Sequence, residues 1–285
     1  MVADGSTRIV LITGTSTGIG RAAAVAAAQA GWHVVATMRD TAKAGPLTAA
    51  AEAAGVADRV EVRRLDVTDK ESVASCLEEV LAAHGRLDAL VNNAGAGVVG
   101  TVEQGGTELF RSAMEVNFFG VVEVTGAAMP HLRATGGRVV TVTSVGGIVG
   151  QPFNEAYCAA KFAAEGFLES LAPVAASVGV KVTVVEPGAV ASEFVSSQEL
   201  DIPAMVAAAG PYGPALEAYV ARTRGAFAAA QTSADAAATI VDALNAAEPP
   251  FRLQTSDTAR AFVSTKLSDL DGAAVQKMTS GWVGR

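Results

Sequence analysis

A chain of 285 residues with half of them apolar is long enough to bury about three quarters of its unfolded surface around one sizeable core. Its formal charge of −8 and the scatter of its 21 basic residues exclude a phosphate-tracking surface, so no nucleic acid is expected as a partner. Two cysteines far apart, Cys76 and Cys158, with no metal-ligand spacing, and no apolar run near ~18 residues fit a reduced cytoplasmic protein without a membrane span.

From the N-terminus the chain passes through Asp4 and Arg8 straight into "IVLIT", a short β-branched run closed by Thr13-Gly14, and no leader or anchor is expected. Further short aliphatic runs follow at 33–37, 60–64, 89–92, 138–143, 181–186 and 251–254, giving seven strand candidates with the first at 8–13. Between them lie helical stretches at 18–30, 70–83, 107–132, 157–177 and 233–246. This alternation predicts an α/β fold, a doubly wound parallel sheet of about seven strands with helices on both faces. No linker divides the chain, so residues 1–285 are expected to form a single domain. Ligands of such sheets bind beyond the carboxyl ends of the strands, so motifs are sought just after strands.

"TGTSTGIG", Thr13 to Gly20, stands there after the first strand and opens a helix. Gly14, Gly18 and Gly20 permit a tight turn and close backbone approach, and the helix beyond offers unpaired N–H groups and a partial positive charge to a pyrophosphate. Within "YCAAK", Tyr157 and Lys161 are four residues apart, so a helix presents both to one pocket. Carbonyl reduction needs a proton for the oxygen as hydride reaches the carbon. A free phenol with pKa about 10 is poorly matched to neutral pH, and one cation at ~4 Å contributes about 4 kcal/mol toward its ionisation at an effective dielectric of 20.

The TGxxxGxG spacing resembles the short-chain dehydrogenase/reductase family in its compact, Rossmann-type form, and the resemblance continues along nearly the whole chain. It implies that Asp66 and Val67, after the third strand, hold the adenine. Asn93, Ala94 and Gly95 of "NNAG" would line the cofactor, with Asn117 of "EVNFFG" in a proton path, there holding a water. Ser144 would stabilise the substrate oxygen, Tyr157 would act as acid/base and Lys161 would serve both the proton path and the ribose. Pro187, Gly188, Val190 and Ser192 would complete the nicotinamide side, and Ile19 the glycine loop. The stretch from Ser144 to Ala172 is similar to the 17-beta-hydroxysteroid dehydrogenase and retinol dehydrogenase branch, which implies a small lipophilic ketone, aldehyde or alcohol as substrate and a homodimer or homotetramer assembled through the helices of Asn117 and Tyr157.

At the end of the second strand, "VVATMRD" puts Met38 where the family has a ribose-binding acid. Arg39 follows, and its guanidinium matches phosphate geometry with two parallel donors; Ser16 adds a hydroxyl. NADP(H) is therefore expected, the competing reading being Asp40 turned to the ribose with Arg39 as surface charge. The segment around 190–232 loses the alternating rhythm and carries Phe194, Met205, Tyr212, Tyr219 and Phe227; it reads as a substrate lid. Residues 255–285 form a C-terminal extension. The three histidines, His33, His84 and His131, show no ligand spacing, and no metal is expected. A non-catalytic nucleotide sensor on the same fold is the alternative to an oxidoreductase, and retention of the Tyr–Lys pair speaks against it.

Overall fold

The computed structural model describes residues 7–192 and 201–284. Its strands and helices alternate: β1 (Ile9–Thr13), α1 (Gly18–Gln29), β2 (His33–Met38), α2 (Gly45–Ala53), β3 (Val60–Arg64), α3 (Lys70–His84), β4 (Ala89–Asn92), α4 (Val102–Met114), α5 (Gly120–Thr135), β5 (Arg138–Val142), α6 (Glu155–Ala176) and β6 (Lys181–Glu186). There follow β7 (Val190–Ala191), α7 (Ile202–Ala208), α8 (Gly213–Ala228), β8 (Gln231–Thr232), α9 (Ser233–Asn245), β9 (Arg252–Gln254), α10 (Asp257–Leu267) and α11 (Ala273–Ser280). Seven strands form one sheet in the order β3-β2-β1-β4-β5-β6-β9, and every pairing in it is parallel. The expected doubly wound α/β architecture is therefore present, with a separate β7–β8 pair that the sequence did not suggest.

Strand β1 is buried along its whole length because side chains alternate between two covered faces. Val10 and Ile12 join one core with α1, α2 and α9. Ile9 and Leu11 join the other, with α3, α5 and α6. Alanines 23, 24, 27 and 28 form the buried side of α1; their small volume lets that helix lie close to the sheet and to α9. Successive strands are added outward in one direction from β1 to β3 and in the other from β4 onward, so a crevice opens at the carboxyl ends of β1 and β4. The site is built on this edge.

Helices α2, α10 and α11 are additional to the stretches read from sequence, and two further regions depart from that reading. The single helix expected over 107–132 is two helices joined by a π turn at Glu115–Phe119, and the first begins earlier, at Val102, where Thr101 and Gln104 form a reciprocal capping box. Gly105 and Gly106 hid that start, Gly106 having a left-handed φ of 52°. The arrhythmic segment beyond Val190 contains helices α7 and α8; Phe194 lies outside the described residues.

Candidate active site

The glycine loop is held by backbone contact rather than by bulk. Gly14 and Gly18 have left-handed φ of 71° and 54°, which glycine adopts without penalty. A Cβ on Gly14 would lie 2.8 Å from the Ala94 Cα, and one on Gly20 would lie 2.2 Å from the Gly14 carbonyl oxygen and 2.3 Å from Asn93 Nδ2. Both positions need the bare Cα. The loop is then stitched to β4 and β2 by short polar groups. Thr13 Oγ1 accepts from the N–H groups of Asn93 and Ala94 at 2.9 and 3.0 Å. Asn93 Nδ2 donates to the Thr13 and Gly14 carbonyls at 2.9 and 3.0 Å. Thr15 donates through both its N–H and its hydroxyl to the Thr37 carbonyl. These threonines were not among the site residues read from sequence.

The same loop offers what a dinucleotide requires. At the start of α1, Thr17 makes no side-chain capping bond and the first turn holds no acid, which leaves the positive end of the helix to an anion. Ser16 is half-buried beside it. Across the crevice Ser192 sits 3.2 Å from where a Gly18 Cβ would be, so the strand after β6 returns to the glycine loop. The donor set and the glycine cradle fit a pyrophosphate-linked cofactor.

At the far end of this crevice Arg39 is exposed and Met38 is buried in the core. Asp40 is committed elsewhere: its carboxylate accepts from the Ala42 N–H at 3.0 Å and caps the turn at Thr41–Ala44. Asp66 accepts from the N–H and hydroxyl of Thr68; although burial pushes its carboxyl up, those bonds and the charges of Arg39 and Arg64 hold it below the ordinary carboxylate range. Val67 is buried against Gly120, where a Cβ would approach Val67 Cγ2 to 2.8 Å.

Tyr157, Lys161 and Ser144 come together as expected. Tyr157 is the third residue of α6, Lys161 lies one turn on, and Ser144 leaves β5 to cap the turn at Val145–Gly147, its Oγ accepting from Gly146 at 2.9 Å. The Ser144 hydroxyl also hydrogen-bonds the Tyr157 phenol. Lys161 is 4% exposed and its Nζ donates to the Val142 carbonyl at 3.1 Å. Gly95 makes room for this convergence: a Cβ there would lie 3.0 Å from Asn117 Oδ1 and 3.5 Å from Lys161 Nζ. Pro187 accepts from the Val145 N–H, Gly188 packs beside Ala259, and Val190 is buried in β7, so this segment borders the turn that follows Ser144.

Desolvation dominates the electrostatics of the Tyr157–Lys161 pair. Burial pushes the Tyr157 phenol up to about 12, with the Ser144 bond pulling it back. Burial also pushes Lys161 down to about 8, against the pull of Glu165. The ammonium is 5.9 Å from the Tyr157 ring centre and also bonded to the Val142 carbonyl. Asn117 is engaged by its neighbours. Fully buried in the π turn, its Nδ2 donates to the Ala96 and Ala113 carbonyls and its Oδ1 accepts from the Ala96 N–H. With both amide hydrogens used, the side chain ties the loop after β4 to α4, and a water could be held only through an accepting oxygen.

Behind Lys161 lies a buried ionic network that sequence reasoning missed. Glu165, one turn further along α6, is 3% exposed, and Glu186, at the end of β6, is 0% exposed. Thr143 donates to Glu165 at 2.5 Å and Gln254 to Glu186 at 2.9 Å. Arg252 bridges them, 3.4 Å from Glu165, 3.2 Å from Glu186 and 2.6 Å from Glu169. Its contact with Glu186 is within ion-pair distance but off the hydrogen-bond angle, since both atoms are without a hydrogen-bond partner. Burial pushes Glu165 up to about 7. The i, i+4 spacing from Lys161 was a signal for Glu165; nothing local signals Arg252.

Over the tyrosine side, Phe153, Leu216, Tyr219 and Trp282 form a buried apolar cluster. Asn154 hydrogen-bonds the Tyr219 hydroxyl, Phe262 stacks on Trp282 at 5.8 Å between ring centres, and the Arg222 guanidinium lies 3.7 Å above the same indole. Phe153 takes a left-handed φ of 61°, a strained position for a bulky residue. Helix α8 is thus fastened to the C-terminal extension and to the turn that precedes Tyr157.

Residues 8–202 match the family model described as short chain dehydrogenase. The chain is 38% identical over 276 residues to Retinol dehydrogenase 8 of Bos taurus, covering 93% of this chain and 87% of that protein. It is 37% identical over 273 residues to 17-beta-hydroxysteroid dehydrogenase type 1 of Homo sapiens, covering 93% and 82% respectively. A solved short-chain dehydrogenase from Streptomyces avermitilis superposes with a TM-score of 0.77 at 34% identity, over 98% of this chain and 99% of that one.

Proposed function

The chain belongs to the short-chain dehydrogenase family of oxidoreductases, on its retinol and 17-beta-hydroxysteroid dehydrogenase branch, and from that premise we propose that it interconverts a lipophilic ketone or aldehyde and its alcohol using NADP(H). The observation that carries this reading is the convergence of Ser144, Tyr157 and Lys161 at the crevice that begins with the glycine loop.

In this reading the start of α1 and the Gly14–Gly20 loop would hold the pyrophosphate, Asp66 and Val67 the adenine, and Gly95 with Pro187, Gly188, Val190 and Ser192 the nicotinamide. The nicotinamide supplies the hydride and, oxidised, a positive charge beside the phenol. Tyr157, proton-bearing at neutral pH because burial holds it near 12, gives its proton to the carbonyl oxygen. Ser144 donates to that oxygen as negative charge develops on it. Lys161 stabilises the phenolate left behind and binds the ribose, and Asn117 positions the loop carrying Gly95. Glu165 favours the charged form of Lys161.

Preference for NADP(H) is supported by Arg39 at the end of β2, by the absence of an acid at Met38, and by the engagement of Asp40 in its own turn. Lipophilic substrates are proposed from the named relatives and from the apolar character of the cluster around Tyr219 and Trp282, with residues around 190–232 as lid and 255–285 fastening it. Exposed Phe119 and Phe162, beside Asn117 and on the helix of Tyr157, support homo-oligomer assembly through that face. Among the described residues no helix is long and apolar enough to cross a membrane, and the free buried thiols Cys76 and Cys158 support a reducing, cytoplasmic setting. The test is a screen of retinoids, steroids and aromatic ketones with NADPH and NADH in parallel. Turnover of a lipophilic carbonyl with NADPH is expected; binding of NADPH without turnover of any carbonyl overturns the catalytic reading.

A further inference from the structure

At the opposite edge of the sheet from Tyr157, three side chains that sequence spacing left unrelated meet. The β2–β3 register pairs Val35 with Glu61; strand alternation therefore turns His33 and Glu61 to one face, the face on which Val35 packs with α3. The last residue of α3 is His84. Its Nε2 is 3.0 Å from one Glu61 oxygen, and His33 Nε2 is 3.9 Å from the other. The two imidazoles stand 4.7 Å apart between centres, tilted by 50°. His33 Nε2 is buried and has no hydrogen-bond partner, a costly condition for a ring nitrogen.

We propose that His33, Glu61 and His84 form a binding site for a divalent first-row transition metal, with zinc the best fit. Two imidazoles and a carboxylate are a borderline-soft donor set suited to zinc, and donors in a tetrahedral site stand about 3.4 Å apart. The three donor atoms here, one from each residue, all lie within 4.8 Å of one another; His84 stands nearer one Glu61 oxygen and His33 nearer the other, so rotation of the carboxylate and the rings closes the set. Burial and the neighbouring His84 hold the His33 imidazole below its ordinary range, in the neutral form that ligates. The carboxyl end of α3 adds partial negative charge beside His84. Arg63 opposes a cation: its Nε lies 3.1 Å from one Glu61 oxygen and its Nη2 3.5 Å from the oxygen facing His33, so a metal has to displace the longer of these contacts for that oxygen to ligate. A metal here clamps β2 and β3 to α3 and takes no part in hydride transfer.

The test uses the full chain, stripped with chelator and titrated with zinc chloride by calorimetry at pH 7.5. One zinc per chain is expected with Kd at or below ~100 μM, and melting about 3 °C higher at saturation. His33→Asn and His84→Gln should each weaken uptake about tenfold or more, while circular dichroism of the metal-free variants matches the parent; Glu61→Gln is the third probe. Lowering the pH to 5.5 should also weaken uptake, because protons compete for the imidazoles. Absence of one-to-one uptake at ~100 μM zinc, or uptake retained by both histidine variants, overturns the site.

Discussion

The glycine-loop half and the aromatic half of this protein, proposed to hold nucleotide and substrate respectively, are held by different kinds of contact. Around the glycine loop the contacts are backbone to backbone or made by threonine and asparagine, as where Thr13 and Asn93 exchange bonds. Across the crevice, Phe153, Tyr219 and Trp282 meet as large side chains from three distant segments. A backbone cradle constrains residue type at each position, because Gly20 has no space for a methyl group. An aromatic cluster constrains only summed volume and polarity, so many sequences satisfy it. The first half therefore announces its ligand and the second does not.

Breaking the chemistry that joins the halves should produce the largest effect. Tyr157→Phe is expected to lower kcat by about 1000-fold or more, with NADPH affinity unchanged by fluorescence titration. On the nucleotide side, Arg39→Ala should raise KM for NADPH roughly tenfold to a hundredfold and leave KM for NADH unchanged; equal losses with both cofactors would remove Arg39 from phosphate recognition. Beneath the site, Glu165→Gln withdraws the charge that raises the Lys161 pKa toward its folded value of about 8. The ammonium should then be lost at lower pH, so the alkaline limb of the kcat profile moves down, with about a tenfold loss at pH 8. A purely structural role for Glu165 would lower activity without moving that limb. In the substrate half, Trp282→Ala is expected to raise KM for a lipophilic substrate about threefold to tenfold, to leave kcat and cofactor affinity near parent values, and to lower Tm by a few degrees.

The order of strands and helices and the Tyr157–Lys161 pair were legible because each depends on short-range pattern: a β-branched run, a glycine spacing, an i, i+4 interval. Ser144 followed from its place at the end of β5. The π turn at Asn117 was not legible, since its five residues differ from α-helix only in which carbonyl each N–H reaches. Neither was the charge state around Lys161. A spacing fixes the face on which two groups lie, but desolvation, which dominates both Tyr157 and Lys161, depends on everything else packed around them.

Sequence by itself determined the parallel sheet and the placing of the glycine loop, Ser144 and the Tyr157–Lys161 pair just after its strands, because local backbone preference and the 2.0 and 3.6 residue periods are written into consecutive positions. Only the tertiary structure decided that Arg252 would join Glu165 to Glu186 behind Lys161, that the C-terminal Trp282 would cover Tyr219, and that His33 and His84 would share one carboxylate. Those contacts join residues far apart in the chain, and the strand order and register that bring them together are set by burial of the whole core rather than by any local pattern.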